Sequence, residues 1–291
     1  MGKKTKFLWF ILPPAGLVAL LIWYLKRHTV AVLQPHGMIA QKEQHLFLFG
    51  LALSAIVVLP VYVMTVAIAW NYRENNHKPK AYTPDWDGSR LFEGIWWGVP
   101  IAIITVLSVV TWQSSHTLDP YRPLNASAQP LTIQVVALDW RWLFIYPEQH
   151  VASLNLLEVP VDRPLNFQIT SDSVMNSFWI PSLGGQIYAM PGMGTELHLT
   201  AKQPGDYHGS SANISGRGFA DMDFTARAVS AKQFQQWTED ASEQESLTQS
   251  AYDKLARPNT DHRSKSFGQP EAGLFANIIV KYMGPRQEQE L

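Results

Sequence analysis

Three stretches of the 291-residue chain, Phe7–Leu25, Leu46–Trp70 and Gly94–Gln113, contain no Asp, Glu, Lys or Arg. The second and third are each long enough to cross a bilayer as a helix, which takes about 20 residues. Both carry tryptophan where a membrane–water interface would hold it: Trp70 closes the second run, and Trp96, Trp97 and Trp112 flank the third. Pro60 lies inside the second, so a neighbour must absorb the hydrogen bond it removes. The plainer reading, two buried helices of a large soluble protein, fits poorly with two such runs so close together in a chain this short.

The first run follows Lys3, Lys4 and Lys6, as the core of a signal peptide would, and Pro13-Pro14 interrupts it. Cleavage after Thr29-Val30-Ala31 is one reading. Lys26 and Arg27 stand where a cleavage region is normally uncharged, which favours an uncleaved anchor. Arg73, Lys78, Lys80 and Arg90 fall between the two secure helices, so that short loop belongs on the cytoplasmic side together with the Lys-rich N-terminus. Everything after Gln113 then lies outside.

From Pro130 to about Ala228 the pattern changes to period two. Leu131–Val136, Leu154–Val161, Leu165–Ile169, Glu196–Thr200 and Asp223–Ala228 read as short strands, separated by turn pairs such as Pro191-Gly192 and Pro204-Gly205. That spacing predicts a β-sandwich or Greek-key barrel of about a hundred residues. Beyond Ser230, Phe234, Trp237, Ala241, Leu247, Tyr252 and Leu255 form an imperfect helical stripe over Ala231–Leu255, stopped by Pro258. A short further helix is expected at Ala272–Met283. The segments are therefore an N-terminal signal or uncleaved anchor (1–31), a transmembrane hairpin (32–118, helices about 46–70 and 94–113), an external β domain (119–229) and a helical arm (230–291).

Composition removes whole classes of chemistry. Lys plus Arg (23) nearly equals Asp plus Glu (24), so no charge excess advertises nucleic acid. There is no cysteine, which excludes disulfides, thiolate catalysis, iron–sulfur clusters, c-type haem attachment and thiolate-bridged copper. The nine histidines include no pair at HxH or HxxxH spacing, so no standard zinc or copper site emerges. No phosphate loop and no Ser-His-Asp pattern stands out.

Two helices followed by a small external β-sandwich is the plan of subunit II of the haem–copper terminal oxidases, and local motifs carry the resemblance. Ser177-Phe-Trp-Ile-Pro-Ser-Leu-Gly184 with Pro191-Gly192 downstream resembles that family's HSFW-P-x-L-G…PG segment. Trp140-Arg-Trp-Leu-Phe-Ile-Tyr146 resembles its aromatic run, and Tyr207-His-Gly followed by Ser211-Ala-Asn-Ile-Ser-Gly216 its copper loop. The likeness runs from about Leu33 to Ala228 in family order and implies a cupredoxin-like fold.

In the cytochrome c oxidases the loop holds a binuclear copper centre. The resemblance puts its thiolate positions at Ser211 and Ser215, its imidazole positions at Asn176 and Phe219, its carbonyl position at Asn213 and its thioether at Met222. Only Met222 survives. A serine hydroxyl is hard and stays protonated at neutral pH, so it does not replace a soft thiolate, and phenylalanine offers no lone pair. No metal is expected in this chain.

Retaining the fold without copper resembles the cytochrome bo-type ubiquinol oxidases. Asn176-Ser-Phe, Gln186-Ile-Tyr-Ala-Met190 and the extension after Ser230 look like that branch. The resemblance implies a non-catalytic subunit of a complex that oxidises ubiquinol, reduces oxygen to water and pumps protons in the inner membrane of a bacterium. The β domain would face the periplasm, the haems and catalytic copper would lie in subunit I, and subunits III and IV would complete the assembly. Glu93, just before Gly94 at the cytoplasmic mouth of the second secure helix, would help admit protons; the plainer reading is a carboxylate that complements the helix dipole. His116 reads as an interfacial residue, and Trp140 and Trp142 as sandwich core and subunit contact. The family often carries a lipidated cysteine near position 28, where this chain has His28. The competing classes are a copper-bearing subunit of a cytochrome c oxidase, which the missing cysteines oppose, and a stand-alone membrane-anchored binding or assembly protein.

Overall fold

A computed structural model describes residues 3–28, 30–72, 88–124 and 128–283, with backbone alone for 3–11 and 13–15. Thr29 of the candidate cleavage segment lies outside the described residues. So do Arg73, Lys78 and Lys80 of the loop that sets the orientation. Helix α1 (Lys3–Arg27) continues through Pro13-Pro14, and its end is wrapped in aromatic contacts: Arg27 lies 4.9 Å over the Trp23 ring, and Tyr24 stacks on His28 at 4.2 Å. Helix α2 (Met38–Asn71) contains Pro60, and α3 (Arg90–Thr117) contains Pro100.

Both α2 and α3 are long and apolar enough to cross a membrane. At 1.5 Å per residue, the 34 residues of α2 extend about 50 Å, well beyond a hydrocarbon core of about 30 Å. The surplus is used. Its first turn and the two residues before it belong with the β domain: the amides of His36 and Gly37 donate to Ser182 O at 2.8 and 3.1 Å, and that of Ala40 to Leu183 O at 3.1 Å. Ile39 and Ala40 are buried. Gly37 is required for this approach, because a Cβ there would sit 2.2 Å from the Leu183 carbonyl oxygen.

The strands are β1 (Leu131–Leu138), β2 (Arg141–Tyr146), β3 (Val151–Leu154), β4 (Leu156–Pro160), β5 (Leu165–Ser171), β6 (Asn176–Trp179), β7 (Ile187–Ala189), β8 (Thr195–Leu199), β9 (Gly205–Ser211) and β10 (Asp223–Val229), with β11 (Lys265–Phe267) in the arm. They form two sheets, β11-β3-β2-β1-β5-β8 and β4-β10-β9-β6-β7. Parallel pairs β1–β5, inside its sheet, and β4–β10, at the edge of the other, interrupt the antiparallel pairing, as the crossovers of a Greek-key sandwich require. The single strand read over Leu154–Val161 is two strands that change sheets. Asn155, at φ 54°, makes the corner between them, and its side chain accepts from the Trp142 amide at 2.9 Å.

All six residues of β2 are buried, because both faces of its sheet are covered. Trp142 and Phe144 point between the sheets, where Trp142 meets Phe178 and Phe224 edge-on at 5.4 and 5.7 Å. Leu143 and Ile145 point the other way and pack with Leu247, Tyr252, Phe267, Leu274, Phe275 and Ile278 of the C-terminal arm. Between-sheet Tyr146 exchanges hydrogen bonds with the Glu158 backbone at 2.9 Å, and burial pushes its phenol above the ordinary range.

The arm corrects one expectation. The stripe over Ala231–Leu255 is not one helix but two, α4 (Ala231–Ser242) and α5 (Gln249–Leu255). Ser230 and Gln233 form a reciprocal capping box that starts α4, and Thr248 Oγ1 accepts from the Ala251 amide to start α5. The intervening turn drops Leu247 fully into the core, a gain that continuous helix would forfeit. Helix α6 (Leu274–Val280) starts two residues later than read, after Gly273 at φ 75°. Buried Arg141 ties the arm to the sheet: its guanidinium donates to the Leu255 and Arg257 carbonyls and so caps the C-terminus of α5.

Candidate functional site

The positions that resemble copper ligands gather at one end of the sandwich. Strand β6 pairs with β9 in a register that sets Phe178 opposite Ser211, which brings Asn176 and Ser211 together on neighbouring strands. Asn213, Ser215, Phe219 and Met222 follow on the loop between β9 and β10, which closes through a 3-10 turn over Phe219–Asp221.

These residues make a hydrogen-bonded plug. Ser211 Oγ lies 3.2 Å from Asn176 Oδ1 and 3.1 Å from Asn213 O, and its single proton serves one or the other. The same oxygen accepts from the amides of Ser177 and Asn213, each at 3.4 Å. Asn176 Nδ2 donates to Val174 O at 2.9 Å and to Ser173 Oγ at 3.3 Å. Ser215 Oγ faces Met222 Sδ at 3.8 Å, and Met222 is fully buried. Phe219 joins through its backbone: its amide donates to Gly216 O, and its carbonyl accepts from the Met222 amide.

Trp140 is the lid of this loop, not a strand residue. It occupies the two-residue turn between β1 and β2 at φ 66°, a strained setting for an aromatic residue. Its indole N–H donates to Ser215 O at 3.2 Å. Its ring lies so close over the loop that a Cβ at Gly218 would fall 2.3 Å from it. Trp142 is core, as the alternating pattern suggests, with its Nε1 3.4 Å from Met222 O.

A copper centre does not fit these residues. Two hydroxyls, an amide and a phenyl ring replace thiolates and imidazoles, and the polar side-chain atoms of Asn176, Ser211 and Asn213 are already engaged with each other and with backbone. Among the described residues, no three His, Asp or Glu side chains come together as a metal would need.

Glu93 lies in the first turn of α3, apart from this loop in sequence and unit. Its amide donates to Ser89 O at 2.9 Å, and its exposed side chain lies near Gly88, where a Cβ would be 3.2 Å from Oε1. The cap residue Ser89 makes no side-chain capping bond, and Glu93 is the acidic residue in the first turn of α3, where the dipole is positive. His116 Nδ1 donates to Trp112 O at 2.7 Å, with its ring 4.5 Å from that indole, an arrangement suited to an interface.

Comparison with known proteins agrees with this arrangement. The family described as cytochrome c oxidase subunit II, periplasmic domain, matches residues 149–229, and the cytochrome oxidase aromatic-rich motif matches residues 241–286. The chain is 49% identical to the ubiquinol oxidase subunit 2 of Acetobacter aceti over 86% of its own length and 82% of the relative's. It is 44% identical to the cytochrome bo(3) ubiquinol oxidase subunit 2 of Pseudomonas putida, over 97% and 88% of the two chains. Against the subunit of the same name from Pseudomonas aeruginosa the identity is 47%, over 87% and 76%. With its paired apolar helices, cupredoxin-like sandwich and copper-less loop, the chain belongs to the ubiquinol oxidase subunit 2 family.

Proposed function

We propose that this chain is the membrane-anchored subunit II of a proton-pumping ubiquinol oxidase, one that supports the catalytic subunit and carries no redox centre. The observation that carries the reading is the plug at the copper loop: the cupredoxin-like scaffold is intact, while the ligand set has become a closed network of hydroxyls and amides. Such a loop has no group that cycles between oxidation states near neutral pH, so electrons from ubiquinol enter at subunit I, which holds the haems and copper. The partners are the other oxidase subunits: subunit I directly, with III and IV completing the complex. Residues 1–31 serve as an anchor, 32–118 as the hairpin, 119–229 as the β domain and 230–291 as the arm. The basic residues Arg73, Lys78, Lys80 and Arg90 support a bacterial inner-membrane location with the β domain in the periplasm.

On this reading Glu93 helps protons enter from the cytoplasmic side. An exposed carboxylate at the start of a membrane helix can take up and hand on protons. One experiment tests both levels, with the complex purified from membranes and oxygen consumption followed on ubiquinol. The wild type oxidises ubiquinol; Glu93→Ala slows turnover. Glu93→Asp retains more, with haem content unchanged in both. A complex inert toward ubiquinol removes the functional reading, whereas a wild-type rate for Glu93→Ala leaves the glutamate as a helix-dipole partner only.

A further inference from the structure

We infer that the end of the C-terminal arm is a clasp that holds the plugged loop end of the sandwich in place through one buried carboxylate, Asp172. The side chain of Asp172 has no solvent exposure, yet it lies in the short connection between β5 and β6, four residues before Asn176. Three donors from the arm converge on it. Tyr252 Oη donates to Oδ2 at 2.6 Å, Lys281 Nζ to Oδ1 at 2.7 Å and Tyr282 Oη to Oδ1 at 2.9 Å. Tyr282 also lies 3.1 Å from the Asp172 carbonyl oxygen.

A buried carboxylate is costly unless it is both paired and hydrogen-bonded, so this convergence is a site that the fold must maintain, not a surface ion pair. Burial and the Asp172 hydrogen bond together push the Tyr252 phenol up, which keeps it a donor. The arm makes a second contact at the same end. Gly192, at φ 73°, accommodates the Tyr282 backbone, and a Cβ there would lie 3.1 Å from the Tyr282 carbonyl oxygen.

From Asp172 the restraint runs inward through a chain of hydrogen bonds. The Asp172 amide donates to Ala137 O at 2.9 Å, and Ser171 Oγ donates to Val174 O at 2.9 Å. Val174 O and Ser173 Oγ fix Asn176, which meets Ser211. A metal bound from two loops would tie these segments directly. Here neutral hydroxyls and amides do so weakly, and the charged clasp supplies the firm anchor.

Hydrogen–deuterium exchange on the full chain within its detergent-solubilised complex tests this. The variant Lys281→Met/Tyr282→Phe removes two of the three donors from a half-exposed position without emptying the core. Exchange at 172–177 should rise about ten-fold, with a smaller rise at 211–213 and none in β1 and β2. Unchanged exchange at 172–177 would show the clasp to be passive. An equal rise in β1 and β2 would make the arm a general stabiliser only. If the double variant does not accumulate, Tyr282→Phe alone should raise exchange roughly three-fold at 172–177, with the same two outcomes against the proposal.

Discussion

A variant carrying Ser211→Cys, Ser215→Cys, Asn176→His, Phe219→His and Asn213→Glu is expected to bind copper and still oxidise ubiquinol much as before. The scaffold favours the first outcome. Asn176 and Ser211 are already hydrogen-bonded neighbours on paired strands, Ser215 already faces Met222, and Phe219 sits one helical turn before Met222. The thiols exchange weak hydroxyl contacts for soft donors, whose thiolates the metal itself stabilises. The second outcome follows from electron entry at subunit I: a new redox centre off the path neither speeds nor slows transfer. Copper content and the absorption of a mixed-valence pair report the first; oxygen consumption on ubiquinol reports the second. A large fall in ubiquinol oxidation, with the complex assembled and its haem unchanged, would put the Asn176–Met222 region on the quinol or electron path.

Trp142→Ala should be the most damaging single substitution in the β domain, at about 3–5 kcal/mol. The side chain is wholly buried, meets two phenylalanine rings edge-on, and places its indole N–H at Met222 O. Alanine leaves a cavity between two sheets whose strands are locked in register, so little collapse can refill it. Against a domain stability of about 5–15 kcal/mol, that is a large share. Denaturant unfolding of the external domain measures it directly. Trp140→Ala should cost far less, because Trp140 is half-buried in a turn, so its loss removes one hydrogen bond and a ring contact without opening a core cavity. Equal costs for the two would contradict the division between core and lid. A Trp142 variant of normal stability but with depressed ubiquinol oxidation would instead give this residue a part in electron transfer.

How far the sequence discloses this molecule depends on the range of each interaction. The apolar runs of α2 and α3 and the alternation of β1, β5 and β10 are local signals, written in consecutive residues, and they emerge directly. Trp140 misleads because its surroundings read as strand; no glycine or asparagine advertises the two-residue turn, and the ring's partners, Ser215 and Gly218, lie far along the chain. The break between α4 and α5 is signalled locally by Thr248, but the competing stripe through Leu247 and Tyr252 hides it. Arg141 and Asp172 escape sequence reading altogether. Their partners are 114 and 116 residues away for Arg141, and 80, 109 and 110 away for Asp172, and nothing in either neighbourhood marks a buried charge. The plug is an intermediate case. Its chemistry is legible as missing ligands, whereas its closure into a bonded network needed the β6–β9 register.

The central claim is that this chain works as the copper-less subunit of an enzyme that takes electrons from ubiquinol. Purification through an affinity tag on this chain, from native membranes in mild detergent, tests it most directly when haem absorption and oxygen consumption are read on the same sample. Haem should copurify, and the sample should consume oxygen with ubiquinol and not with reduced cytochrome c. A tagged chain that emerges without haem, or a haem-bearing complex that oxidises cytochrome c and not ubiquinol, would contradict it.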